Sequence, residues 1–178
     1  MDTEPDIFFI VPYRDREAHL EIFINHMKII LDEINYMILI SHQCDTRLFN
    51  RGGLKNLGFL WIKKKYPNTY KEKTLVFHDV DNLYYRKNIL NWKTTHGKIK
   101  HFFGIEQKKS KSLGGILSVT GSDFEKMNGF PNYWSWGYED NALYYRAKYA
   151  NIKIDYSQFN RMGCKYVVVF WHGDKREV

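Results

Sequence analysis

Two aspartates one residue apart, Asp79 and Asp81, close the apolar run of "LVFHDVDNLYY". Carboxylates so spaced at a strand end can converge on a hard divalent cation, Mn²⁺ or Mg²⁺. The same pattern also makes an Asx-type turn with two exposed acids. "VPYRDR" puts Arg14 and Arg16 just past another apolar run. Their guanidinium forks suit phosphate, or they pair with Asp15, Glu17 and Glu21. "FNRGGLKNLGF" sets Arg51 and two glycines behind Phe49, a cradle for a base or phosphate or simply the start of a helix. "YWSWGYEDN" gathers Tyr133, Trp134 and Trp136 beside Gly137, Glu139 and Asp140. Aromatic faces next to carboxylates are what a sugar needs. The competing reading is an acid pair on a helix dipole beside core aromatics.

These side chains need elements to hold them. "DIFFIVPY" and "YMILISH" read as buried strands, and "TLVF" as the strand that delivers the aspartates. Asp15 is the expected cap of a helix with apolar positions Leu20, Phe23, Ile24, Met27, Ile30, Leu31 and Ile34. A second helix is expected from about Asn50 to Lys65, stopped before Pro67. Further on, "GGILSVT" reads as a strand. Ser122 and Glu125 then stand in capping-box spacing for a short helix ended by Gly129 and Pro131. Helix resumes near Glu139, and "KYVVVFWH" is a last strand closing on His172. Strands alternating with helices predict an α/β fold with a largely parallel sheet, which binds ligands at the C-terminal ends of its strands. Pro12, Asp79, Asp81 and His172 are all expected at such ends.

At 178 residues, 44% apolar and 17% aromatic, the chain is expected to form one domain with a proper core, which excludes a disordered protein. The net charge of +7 attracts anions without choosing among them, and no basic–aromatic module points to nucleic acid. Two distant cysteines, Cys44 and Cys164, argue against a disulfide framework. No apolar run reaches a membrane-spanning length. A soluble chain in a reducing, cytoplasmic compartment is the expectation.

Taken in order, "FFIVPYRDREAHL", "FNRGGLKNLGF", "FHDVD", "LGGILSVTGSDFEKMNGFPN", "YWSWGYEDN" and "FWHGDK" resemble the beta-1,4-galactosyltransferase family, inverting metal-dependent enzymes of GT-A fold. The resemblance spans nearly the whole chain. It implies a single GT-A catalytic domain over residues 1–178, Rossmann-like, with a C-terminal lid and tail shortened relative to the family. Pro12, Arg14 and Arg16 are implied against the nucleotide, Phe49 and Arg51 at uracil and phosphate, and Val80 at the nucleoside. Asp79 and Gly115 fall on the donor side, and Trp136 matches a tryptophan that closes over the site. Asp81 and His172 match metal ligands, Glu139 an acid that holds the sugars, and Asp140 the base that deprotonates the acceptor hydroxyl.

The implied reaction moves a sugar, galactose first, from a UDP-sugar to a hydroxyl of a glycan or glycoprotein, with Mn²⁺ or Mg²⁺ as cofactor. The alternative is a transferase-like protein that binds a nucleotide sugar or glycan without turnover. Three departures from the family pattern stand out. Its E-D-D-D run is Glu139-Asp140-Asn141-Ala142 here. Val169 stands where many members carry a methionine ligand. Ser112-Leu113 replace an aromatic–phenylalanine pair whose first position influences galactose versus N-acetylgalactosamine.

Overall fold

The computed structural model describes residues 3–104, 111–135 and 137–170. Strand β1 (Ile7–Tyr13) lies at its heart with all seven residues buried. Phe8 and Ile10 pack into one apolar cluster, and Ile7, Phe9 and Val11 into another. Such alternation is what a strand covered on both faces requires. Helix α1 (Glu17–Ile30) covers the second face through Phe23, Met27 and Ile30. Helix α2 (Arg51–Lys65) covers the first through Phe59 and Ile62.

Around β1 run β2 (Tyr36–His42), β3 (Thr74–Phe77), β5 (Lys98–Gly104), β6 (Ile116–Thr120), β7 (Lys153–Asp155) and β8 (Asn160–Arg161). Their order is β2-β1-β3-β6-β5-β7, with β8 also on β5. Strand β1 is parallel to β2 and β3, and β5 is parallel to β7 and β8. Strand β6 alone runs against its neighbours β3 and β5. The sheet is therefore mostly parallel, as expected, with one reversal that matters. Because β6 is antiparallel, its start, not its end, meets the edge where β1, β3 and β5 finish. The glycines of "GGILSVT" thereby reach the same edge as Asp79.

The last strand departs from expectation. Strand β9 (Val167–Val169) stays outside the main sheet and pairs antiparallel with β4 (Asn82–Tyr84), matching Asn82 with Val169. Strand β4 begins directly after Asp81, so this small ribbon fixes the chain that leaves the aspartate pair. Pro12 also sits within β1, paired with Ser41, and not beyond its end.

Two expected caps are corrected. Asp15 does not cap α1: it adopts a left-handed backbone with φ 51°, and Arg16 holds the cap position without a side-chain hydrogen bond. The short helix α3 (Gly121–Lys126) is capped by Thr120, whose hydroxyl accepts from the Asp123 N–H and donates to its carboxylate. The cap is thus Thr120, hydrogen-bonded to Asp123, in place of the Ser122–Glu125 box, because β6 runs straight into the helix. Helix α2 meets expectation at its start, where the Asn50 side chain accepts from the Gly53 N–H at 2.8 Å. Helix α4 (Glu139–Tyr149) begins at the expected residue. No helix among the described residues is long and apolar enough to cross a membrane.

The relocated cap is open to test. Thr120→Ala should lower stability by about 1 kcal/mol, and Ser122→Ala by less than about 0.5 kcal/mol. Urea midpoints at neutral pH measure both, and a larger loss at Ser122 would restore the original placement.

Candidate active site

The carboxylates of Asp79, Glu139 and Asp140 meet on one guanidinium. Arg51 is the first residue of α2, and its side chain is 11% exposed. Its Nε donates to Asp79 Oδ1 at 3.0 Å, and Nη2 donates to both Asp79 oxygens at 2.7 and 2.6 Å. Nη1 donates to Glu139 Oε1 at 2.8 Å and to Asp140 Oδ2 at 2.5 Å. An arginine has five N–H donors in a fixed fork, and here Nε, Nη1 and Nη2 all donate to carboxylates. The residues are 28, 88 and 89 positions from Arg51, so this knot joins α2, the turn after β3 and the start of α4.

Local structure explains how each member arrives. Gln43, just past β2, accepts the Asn50 N–H at 2.8 Å, and its amide donates to the carbonyls of Arg47 and Leu48. That brace orients the loop that presents Phe49 and Arg51. Asp79 follows a fully buried histidine, His78, whose Nδ1 faces the Asp79 carbonyl at 2.8 Å and therefore carries the proton. Burial among Phe9, Phe23 and Trp92 pushes the His78 pKa down to about 4, so the ring is neutral at physiological pH. Val80 is buried in the same cluster, which leaves Asp79 and Asp81 partly accessible on either side. Glu139 and Asp140 occupy the first turn of α4, where the helix dipole favours negative charge. Tyr138, in a left-handed conformation with φ 63°, turns the chain into that helix.

Glu139 is the most enclosed of the three acids at 4% exposed, followed by Asp140 at 14%. Burial opposes the Asp140 charge, but Arg51 and Lys55 overcome that opposition and hold its pKa at about 2. Burial likewise works against the Arg51 charge, and Asp140, Asp79 and Glu139 hold its pKa well above the ordinary value. Gly114 closes the other side, since a methyl there would lie 2.7 Å from Asp140 Oδ2. Gly115 adopts φ 82°, a conformation that side chains resist, and this bend carries the chain from Asp140 into β6. His101, buried on β5, donates from Nε2 to the Gly114 carbonyl at 2.8 Å. Burial lowers its pKa, so it too stays neutral.

Other residues singled out in the sequence lie around this knot. Arg14 Nη1 donates to the Arg47 carbonyl, its guanidinium stands 5.4 Å from the Phe49 ring centre, and its Nε lies 3.5 Å from Asp15. Arg16 sits at the start of α1, outside the carboxylate knot. Trp134 is covered by the Arg47 guanidinium at 3.7 Å, and Tyr133 is half-exposed. The Asp81 carbonyl accepts from the Phe170 N–H at 2.8 Å, two residues before His172. Trp136 and His172 lie outside the described residues. Among the described residues no group of three or more His, Cys, Asp or Glu is placed to hold a metal. Both cysteines are free.

Sequence reasoning missed Lys55, Gly114, His78 and His101. Only Lys55 left a readable trace, as a charged residue four positions after Arg51 on the face that α2 buries through Phe59 and Ile62.

A mostly parallel α/β sheet with acids gathered at its strand ends fits the GT-A class of fold. Family models agree: residues 2–91 match the N-terminal region of glycosyl transferase group 7, and residues 96–168 match the N-terminal domain of galactosyltransferase. The chain belongs to the beta-1,4-galactosyltransferase family. It is 34% identical over 175 residues to beta-1,4-galactosyltransferase 4 of Cricetulus griseus, covering 93% of this chain and 48% of that protein. With beta-1,4-galactosyltransferase 6 of Homo sapiens it shares 32% over 154 residues, covering 82% and 39% respectively. The chain thus spans about half the length of the curated relatives it matches, or less. A similar solved structure is a mutant of Drosophila beta-1,4-galactosyltransferase 7 in complex with manganese, UDP-Gal and xylobiose. The TM-score is 0.77 at 26% identity, covering 95% of this chain and 72% of that one.

The knot makes two predictions. Arg51→Met leaves three crowded carboxylates without their cation and should cost about 3–5 kcal/mol in urea unfolding at pH 7. A loss below about 1 kcal/mol would mean the acids do not need it. Because Asp140 has a depressed pKa, its contribution is present above about pH 4 and is lost as the pH falls towards about 2. Asp140→Asn should flatten that part of the stability–pH curve.

Proposed function

We propose that this chain is the catalytic domain of a metal-dependent inverting glycosyltransferase that moves galactose from UDP-galactose to a hydroxyl of a glycan or glycoprotein. The observation that carries this reading is the meeting of Asp79, Glu139 and Asp140 on Arg51 at the strand-end edge of a GT-A sheet. The likeness to a relative bound to manganese, UDP-Gal and xylobiose supports the donor and the sugar nature of the acceptor.

Asp140 serves as the base. In an inverting transfer the acceptor oxygen attacks the anomeric carbon from the face opposite the diphosphate, and a carboxylate in hydrogen-bond reach takes its proton. Held ionised by Arg51 and Lys55, Asp140 is always in the accepting form at neutral pH. Glu139 holds sugar hydroxyls, and its Oε2 already accepts from the Gly137 N–H at 3.1 Å. Arg14, Arg16, Phe49 and Pro12 line the nucleotide side, with Asp79, Val80 and Gly115 nearer the ribose and donor sugar. The family resemblance assigns Trp136 the role of closing over the site, and Arg51 would reach the phosphate by exchanging carboxylate contacts for it.

Asp81 and His172 would hold the metal. A carboxylate with an imidazole suits Mn²⁺, and the Phe170–Asp81 backbone bond ties the chain just ahead of His172 to the aspartate. A bound Mn²⁺ supplies electrostatic neutralisation for the departing diphosphate.

One observation favours a second reading, a binder without turnover. Both oxygens of Asp140 face cations, and a carboxylate with a pKa of about 2 is a weak base. Radiolabelled UDP-galactose with a panel of glycan acceptors separates the two. We expect Mn²⁺-dependent transfer that a chelator abolishes, and loss of transfer in Asp140→Asn with UDP binding nearly intact. UDP binding without transfer or hydrolysis would establish the binder. Full activity in Asp140→Asn would remove it from the mechanism.

A further inference from the structure

Lys55 is a fully buried lysine one helical turn after Arg51. An ammonium out of water is costly unless an anion and a polarisable surface receive it. Here the anion is Asp140, whose Oδ1 lies 3.4 Å from Nζ, and the surface is the Phe130 ring, 4.6 Å away. Arg51 takes the other Asp140 oxygen at 2.5 Å. The two cations therefore grip opposite oxygens of one carboxylate, from positions i and i+4 of one helix.

They differ in what else they serve. Arg51 is shared among Asp79, Glu139 and Asp140, whereas the ion pair of Lys55 is with Asp140. Any ligand phosphate that draws the guanidinium away would leave Asp140 with Lys55 alone. The remaining groups around Asp140 do not replace that charge. Glu139 precedes it on α4 and is an acid, while Asp79 adds a further negative charge across Arg51. His101 on β5, behind Gly114, is kept neutral by burial. The segment before β6 contributes its Leu113 N–H to the Asp140 carbonyl and the bare backbone of Gly114 beside Oδ2.

We infer that Lys55 is the dedicated counter-ion of Asp140, a positioning residue that fixes its Oδ1 and sets how readily that carboxylate binds a proton. The role in transfer rests on the reading of Asp140 as the base, but the ion pair itself does not. Lys55→Met keeps the length and apolar bulk of the side chain and removes only the charge. In that variant Asp140 should bind a proton more readily, so the acid limb of transfer moves up by about 1–3 pH units. A residue that served only packing would leave the limb in place.

A measurement free of turnover keeps the two ideas apart. Urea unfolding of wild type, Lys55→Met, Asp140→Asn and the double variant at pH 7 forms a thermodynamic cycle. The unfolding constants should deviate from additivity by roughly tenfold or more, with Asp140→Asn much less harmful once Lys55 is gone. Additive effects would overturn the inference even if Asp140→Asn abolished transfer. Conversely, coupling with normal transfer by Asp140→Asn would keep the ion pair and discard the base. If Lys55→Met folds only together with Asp140→Asn, that rescue is itself the expected coupling. If neither folds, Lys55 serves packing and the inference fails.

Discussion

Three carboxylates stand within reach of one guanidinium, and the architecture around the site follows from keeping them there. Asp79, Glu139 and Asp140 repel each other in a setting poor in water, where Coulomb energies are large. Arg51 makes their company possible because its planar fork offers separate donors to each. The helix starts of α2 and α4 converge on the same point, so their positive ends add to the compensation. Asn50 secures one of those starts through its cap, and Gln43 braces the loop before it. Removing the guanidinium would leave not a weaker contact but Asp79 and Glu139 uncompensated and Asp140 held by Lys55 alone.

The sheet does the rest of the positioning. Parallel strands β1, β3 and β5 finish at one edge, and the reversed strand β6 starts there. This reversal brings Gly114 against Asp140 and lets the helix after β6 grow on the far side. Behind the edge, two buried neutral histidines hold backbone in place. His78 fixes the Asp79 peptide, and His101 fixes Gly114. Neither needs charge for that task, and burial in apolar surroundings withholds it. The β4–β9 ribbon completes the frame by tying the chain before His172 to the backbone of Asp81.

Much of this was legible in the residues. The limits of α2 were readable from Asn50 and Pro67, because a cap and a proline act on the backbone within a turn. The start of α4 at Glu139 was readable for the same reason, and β1 from an unbroken apolar run. The chemistry-bearing side chains were also recognisable by type and order. The misplaced caps have local causes of another kind: Asp15 was drawn into a left-handed turn beside Arg14, and Thr120 is both the end of β6 and the cap of α3. A pattern that assigns each residue to one element does not reveal such double duty.

By itself, the sequence determined β1, β2, β3, β6 and the helices, and which acids and cations are available, since propensity, capping and periodicity operate over a few residues. Strands β4, β5, β7 and β8 came only with the structure. Tertiary structure alone decided who pairs with whom. Arg51 reaches Asp79, Glu139 and Asp140 across 28, 88 and 89 positions only because strand order places three segment ends side by side. The same packing turned Lys55 inward to Asp140 and sent Val167–Val169 to β4 and not to the main sheet. Charge pairing depends on distance in space, which chain separation does not encode.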